Sequence, residues 1–185
     1  MSRIILASQS PRRKQLLSML DIPFDVVVAN IDEKIDYEND LTKEIEKLSY
    51  QKAYAVFKDN KDALVIGADT IVKIGNQVLG KPKSYEQAKQ MLETLSDNTH
   101  EVVTGVTILV GDNVETFSMI ANVTFYPISE KEIDDYIKTN EPMDKAGAYA
   151  IQGLGAKFIK SIEGDFYTIM GLPVAELYHR LQKYI

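Results

Sequence analysis

Three stretches hold the residues whose types and spacing could do chemistry. The first is Ser8-Gln-Ser-Pro-Arg-Arg13, which follows a short apolar run and precedes an apolar-spaced segment. Ser10 is suited to cap a helix, and Pro11 to its first turn, where a missing N–H costs nothing. That order predicts strand, tight loop, helix start, with Arg12 and Arg13 in the first turn. A helix N-terminus already carries positive dipole charge, so two arginines there are unfavourable unless an anion sits among them. Free N–H groups and two guanidinium forks together suit a phosphate. The same pair could equally be solvated surface arginines.

The second stretch is Ala63 to Ile74, apolar throughout except for Asp69-Thr70 and Lys73. A carboxylate inside an apolar strand is expensive to bury and needs a cation, a metal or several hydrogen bonds. Gly67 and Ala68 before it leave room for another group to approach the backbone. Asp69 is a candidate functional carboxylate; a structural Asp bonded to backbone N–H groups is the alternative. Gly75-Asn76 turns the chain, and Val78-Leu-Gly-Lys81 returns it, so Lys81 stands near the base of a hairpin. The third stretch, Pro142 to Ala156, is rich in glycine and alanine and carries Asp144, Lys145 and Gln152. Small residues there permit a ligand to approach the backbone. Gly153-x-Gly155 lacks the third glycine of a dinucleotide fingerprint.

These residues need elements to position them. Ile4–Ala7, Phe24–Ala29, Ala63–Ile74, Val102–Val110, Val114–Tyr126 and Phe158–Ile162 read as strands. Helices are expected after Ser10, after Thr42 to about Asp59, after Ser84, after Ser129 and after Gly171-Leu-Pro173. Ser84-x-x-Gln87 and Ser129-x-x-Glu132 both have the form of capping boxes. Strands alternate with helices first, and a hairpin at Gly111-Asp-Asn113 follows. That pattern predicts a three-layer α/β domain with a mixed central sheet, residues 1–185 forming one unit. Loops at strand ends could then bring Arg12, Arg13, Asp69 and Lys81 into one cleft. Lys52, read alone, is a surface lysine on the second helix. Asp32 and Glu33 read as part of a solvated acidic loop.

Composition narrows the classes. The chain has 185 residues, 45% hydrophobic and 26% charged, as expected of a globular protein with a sizeable core. Its net charge of −6 argues against broad binding to nucleic-acid polymers or anionic membranes, so a positive field for a polyanion must be local. There is no cysteine, which excludes disulfides, thiolate metal sites and a cysteine nucleophile. With no signal-like start and no spanning apolar run, a cytoplasmic protein is expected. His100 and His179 lie in no ligand-spaced cluster and read as ordinary surface or hydrogen-bonded histidines. A P-loop signature and a Gly-x-Ser-x-Gly elbow are both missing. Basic side chains around one or two carboxylates suit a polyphosphate held with Mg²⁺.

The motifs Leu6-Ala-Ser-Gln-Ser-Pro-Arg-Arg-Lys-Gln-Leu-Leu17, Gly67-Ala-Asp-Thr-Ile-Val72 and Leu79-Gly-Lys-Pro82 resemble the Maf family. So do Met143-Asp-Lys-Ala-Gly-Ala-Tyr149, Ile151-Gln-Gly-Leu-Gly155, and Gly164-Asp-Phe-Tyr167 through Gly171-Leu-Pro173. The match covers almost the whole chain in the expected order. Asp97-Asn98 departs from a more usual Gly-containing turn, outside these motifs. The resemblance implies nucleoside triphosphate pyrophosphatases, once described as septum-formation inhibitors, with a deep-clefted fold similar to that of inosine triphosphate pyrophosphatases. Frequent homodimers are implied as well. It further implies Asp69 as proton acceptor beside a divalent Mg²⁺ or Mn²⁺ cation, with Glu33 a second carboxylate near that metal. Lys52, Lys81 and Arg13 would neutralise phosphates, and Ser8 would bond one. Arg12, Thr70 and Gln152 would select the substrate, resembling the branch acting on dTTP and UTP rather than 7-methyl-GTP. A non-catalytic nucleotide- or protein-binding regulator of cell division is the competing class, and a phosphatase releasing orthophosphate has the same composition.

Overall fold

The computed structural model describes residues 3–36 and 39–185. A seven-stranded mixed sheet runs in the order β2-β1-β3-β5-β6-β7, with the short β4 on β3, and helices flank it. Strands β1 (Ile4–Leu6), β2 (Asp25–Val26) and β3 (Leu64–Ile74) are parallel neighbours. β4 (Gln77–Leu79) returns antiparallel on β3, and β7 (Ile159–Glu163) lies antiparallel to β6 (Asn113–Phe125). Contacts divide the chain into two compact units. Residues 1–70, 104–119 and 171–185 form one; residues 71–103 and 120–170 form the other. β3, β5 (Thr99–Val110) and β6 each contribute residues to both.

In the first unit, α1 (Pro11–Ser18) starts as expected: Ser10 accepts from the Arg13 N–H, and Pro11 occupies the first turn. The long α2 (Leu41–Phe57) is capped by Asp40, whose carboxylate accepts from the Thr42 N–H. Thr42 was the expected cap, but a carboxylate two residues upstream reaches the same orphan donors and answers the dipole better. Helix α2 lies hard against the sheet. A Cβ at Gly67 would stand 2.4 Å from the Ser49 carbonyl oxygen, and one at Gly105 2.8 Å from that of Ile45. Ile5, Ala53, Val56, Phe57, Val65 and Leu109 close the core between them. The expected strand Phe24–Ala29 is reduced to two exposed residues. β2 is an edge strand whose apolar run has partners on one side only. α6 (Val174–Leu181) buries Val174, Leu177 and Leu181; Pro173 stands at its cap position.

The second unit holds β4, α3 (Tyr85–Leu95), α4 (Glu130–Ile137), β7 and α5 (Phe166–Met170), the last not foreseen as a helix. Ser129 and Glu132 form a complete capping box. At α3 only half of the expected box forms. Ser84 accepts from the Gln87 N–H, but the Gln87 side chain accepts from Lys83 instead of Ser84. An aromatic cluster of Phe125, Tyr149, Tyr136 and Phe158 fills this core in edge-on and tilted pairs. His100 is buried in it and shares a 2.8 Å hydrogen bond with the Tyr149 hydroxyl. Among the described residues no helix is long and apolar enough to cross a membrane.

Candidate active site

The first unit holds seven of the nine residues singled out above, and six of them, Ser8, Arg13, Glu33, Lys52, Asp69 and Thr70, are linked there by hydrogen bonds and ion pairs. Asp69 sits on β3 where the burial pattern loosens from fully to half buried. Its carboxylate meets Lys52 Nζ at 2.8 Å and Arg13 Nη2 at 3.8 Å, with only 14% of its side chain exposed. The cations that an apolar strand must supply to a carboxylate thus come from α2 and α1. Lys52 is not the surface lysine its helix suggested. It is buried, with its ammonium also 2.8 Å from Glu33 Oε1. The helical period turns Lys52 onto the same face as Leu48, Ser49 and Ala53. The acidic loop is placed by this contact: Glu33 is half exposed but bonded to the same ammonium as Asp69.

Arg13 points inward. Its Nε donates to the Gly171 carbonyl at 2.8 Å, and Nη2 to the Thr70 hydroxyl at 3.1 Å. Nη1 reaches Ser8 Oγ at the long distance of 3.5 Å. The guanidinium therefore ties the loop after β1, the middle of β3 and the turn before α6 together. Burial pushes its pKa down, with Asp69 and Glu33 opposing and Arg12 adding to the fall. Thr70 passes the chain of hydroxyls on to the fully buried Thr104, at 2.8 Å. Ser8, itself buried, accepts from the Ser10 N–H at 3.2 Å. Arg12 is half-buried and close enough to Arg13 to be felt electrostatically.

Two participants escaped the sequence reading. Gly171, read only as a helix opening, supplies the carbonyl for Arg13 and has a φ of 110°, a region that favours glycine. Thr104 lay inside an apolar strand and carried no local signal, because its partner is 34 residues away in the chain.

Lys81 and Gln152 belong to the second unit, and both are exposed. The carbonyl of Gly80, next to Lys81, accepts from the Gly147 N–H at 3.2 Å. That bond joins the hairpin base to the glycine-rich stretch. The glycines of that stretch are taken up by close packing within the protein. A Cβ at Gly147 would lie 3.0 Å from Val72, one at Gly153 2.1 Å from Glu141, and one at Gly155 2.8 Å from the Tyr136 hydroxyl.

Around Asp69, two cations, Arg13 and Lys52, meet two carboxylates, Asp69 itself and Glu33, on a chain of net charge −6. Two carboxylate oxygens converge on one cationic point, the Lys52 ammonium. An all-oxygen pair of this kind fits Mg²⁺ or Mn²⁺, which such sites hold by one or two carboxylates plus substrate phosphates. The arrangement can hold a phosphate chain, place a hard cation and offer a carboxylate as base.

Residues 3–184 match the family described as Maf-like protein. A dTTP/UTP pyrophosphatase of Bacillus velezensis is 50% identical over 182 residues, covering 98% of this chain and 96% of the relative. A second dTTP/UTP pyrophosphatase, from Bacillus cereus, is 46% identical over 184 residues, covering 100% and 96%.

Proposed function

From the premise that the chain belongs to the Maf family, we propose that it hydrolyses nucleoside triphosphates, dTTP and UTP foremost, to the monophosphate and pyrophosphate. The observation that carries the reading is the Asp69 carboxylate flanked by Lys52 and Arg13, with Glu33 on the same lysine. Asp69 accepts a proton at a carboxylate oxygen from a water placed in line with the α-phosphorus. The water oxygen bonds to that phosphorus, the bridging bond to the β-phosphate breaks, and its electron pair leaves with pyrophosphate. Lys52, Lys81 and Arg13 neutralise the phosphates, and Ser8 bonds one of them. A divalent cation, Mg²⁺ or Mn²⁺, would be held by Asp69 and Glu33 and would supply charge for the phosphate oxygens.

Arg12, Thr70 and Gln152 choose the substrate. Thymine and uracil present O, N–H, O along one edge, and a carboxamide can accept from the N–H while donating to a neighbouring carbonyl. Cytosine lacks the N3–H, so it leaves part of the site mispaired, at about 1–3 kcal/mol per buried group. The methyl that separates dTTP from UTP is worth only about 1 kcal/mol, so both are accepted. We place the protein in the cytoplasm, with no nucleic-acid polymer or membrane as partner, and as a homodimer, which light scattering on the purified protein checks.

The test is a panel of dTTP, UTP, CTP, ATP, GTP and 7-methyl-GTP with Mg²⁺ or Mn²⁺, measuring pyrophosphate and orthophosphate separately. Pyrophosphate release, fastest from dTTP and UTP, is expected. Orthophosphate as the first product would make it a phosphatase, no turnover would favour a binding regulator, and preference for 7-methyl-GTP would move it to the related branch.

A further inference from the structure

Glu141 carries a carboxylate that no part of the proposed chemistry uses. It follows Asn140, which turns the chain out of α4 with a φ of 61°. Its Oε1 accepts from the Leu154 N–H at 3.0 Å, and its Oε2 from the Gly155 N–H at 3.1 Å. Oε2 also accepts from the Tyr136 hydroxyl at 2.6 Å, and that hydroxyl accepts in turn from the Ala150 N–H at 3.1 Å. Tyr136 is 1% exposed and locked edge-on against Phe158. Three main-chain N–H groups, on both sides of Gln152, therefore end on one Tyr-Glu pair. The space is built for it: the side-chain positions of Gly153 and Gly155 are filled by the carboxylate and the phenol. Burial would raise the Glu141 pKa, but the bonds from Tyr136, Leu154 and Gly155 outweigh it and hold the pKa below the usual range.

We propose that Glu141, backed by Tyr136, is the positioning residue that fixes the turn from Ala150 to Gly155 so that Gln152 is presented to the base in one orientation. This rests on the reading of Gln152 as the residue that meets the base. A carboxylate accepting two N–H bonds and one O–H bond leaves the turn a single low-energy course. A carboxamide at the same place has one accepting oxygen and must direct its own N–H at a donor, so one backbone bond is lost and the turn loosens. Selectivity, which depends on the angle of the Gln152 amide, suffers before chemistry does.

The experiment measures kcat and KM for dTTP and CTP in Glu141→Gln, Tyr136→Phe and Gln152→Ala, with far-UV circular dichroism as the check of folding. In Glu141→Gln the dTTP-over-CTP ratio of kcat/KM is expected to fall about tenfold, through the KM for dTTP, with kcat for CTP retained. Tyr136→Phe, which keeps the ring, should lower the ratio about threefold, and it carries the test if Glu141→Gln does not fold. Equal losses for both nucleotides, or an unchanged ratio in the folded variants, would overturn the proposal if Gln152→Ala does collapse the ratio. An unchanged ratio in Gln152→Ala overturns instead the reading of Gln152 itself.

Discussion

The two units hold their carboxylates in opposite ways. Around Asp69, charged side chains answer other side chains: Lys52 is shared by two carboxylates, and one of them, Glu33, is half exposed. Around Glu141, a single carboxylate answers main-chain N–H groups and a phenol. The difference is one of exchangeability. A lysine held by Glu33 and Asp69 can trade a carboxylate oxygen for a phosphate oxygen at little cost, because both are anionic acceptors at the same place. The N–H groups of Leu154 and Gly155 would give up a fixed, charged acceptor on loss of Glu141, and with it the course of the turn. Reaction chemistry calls for the first arrangement, and holding a recognition turn still calls for the second.

The largest effect that would break this contrast is expected at Asp69. Asp69→Asn removes the base while keeping shape, and loss of a general base costs about 10²–10⁴ in rate. Lys52 keeps Glu33 as a partner, so the fold should persist. Near wild-type turnover in a folded variant would take Asp69 out of the mechanism. Lys52→Ala, Arg13→Ala and Lys81→Ala should weaken triphosphate hydrolysis more than monophosphate binding. Arg13→Ala should also destabilise the fold, since it alone unties Gly171 and Thr70. Equal losses of affinity for triphosphate and bare nucleoside would contradict the assignment of these cations to the phosphate chain.

A smaller effect sharpens the comparison through two glycines. A Cβ at Gly67 would lie 2.4 Å from a helix carbonyl and 2.7 Å from the Ala53 backbone nitrogen, neither of which can yield without moving α2. Gly67→Ala should cost roughly 3 kcal/mol or more. At Gly153 the obstacle is the end of the Glu141 side chain, 2.1 Å away, which can swing aside by giving up its bonds. Gly153→Ala should cost about 1–2 kcal/mol and lower the dTTP-over-CTP ratio. Urea unfolding of the two variants checks the order. A Gly153→Ala loss as large as that of Gly67→Ala would mean that the carboxylate is as immovable as backbone.

What the sequence disclosed follows the range of each interaction. Ser10 and Pro11, the Ser129 capping box and the apolar period of β3 act within four residues or one element, and each was legible. Asp69 was legible as a residue in need of a cation, but its partner was not, because Lys52 reaches it from another element. Arg13 read as one of two phosphate forks or as a solvated arginine, and its contacts to Gly171, Ser8 and Thr70, which tie parts of the first unit to one another, were not legible. Glu141 sat in a Glu-Pro dipeptide that looks like any loop. Only the distances to Leu154 and Gly155 give it a purpose. The glycines of Pro142–Ala156 read as places where a ligand could approach the backbone, whereas the close neighbours of Gly147, Gly153 and Gly155 are Val72, Glu141 and Tyr136.

The smallest effect concerns a buried polar group with no charge at all. His100 is 1% exposed, and burial lowers its pKa to about 4. No described residue partners its Nδ1, so a proton there would bring an unpaired charge into the aromatic core. A histidine in the unfolded chain titrates near its ordinary 6.5. Between about pH 6.5 and 4 the unfolded state therefore binds more protons than the folded one, and stability rises with pH through that window. His100 contributes in full above the unfolded value and progressively less as pH falls, levelling out below about 4. Between about pH 7 and 5.5 the loss assigned to this residue is about 1 kcal/mol. His100→Gln keeps a partner for Tyr149 but cannot titrate, so its stability should be lower at neutral pH and flatter across this range. Urea unfolding of both proteins at the two pH values isolates the difference, because the carboxylates common to both cancel. Parallel slopes would mean that His100 takes up its proton in the folded core at the same pH as in the unfolded chain, so that burial does not lower its pKa.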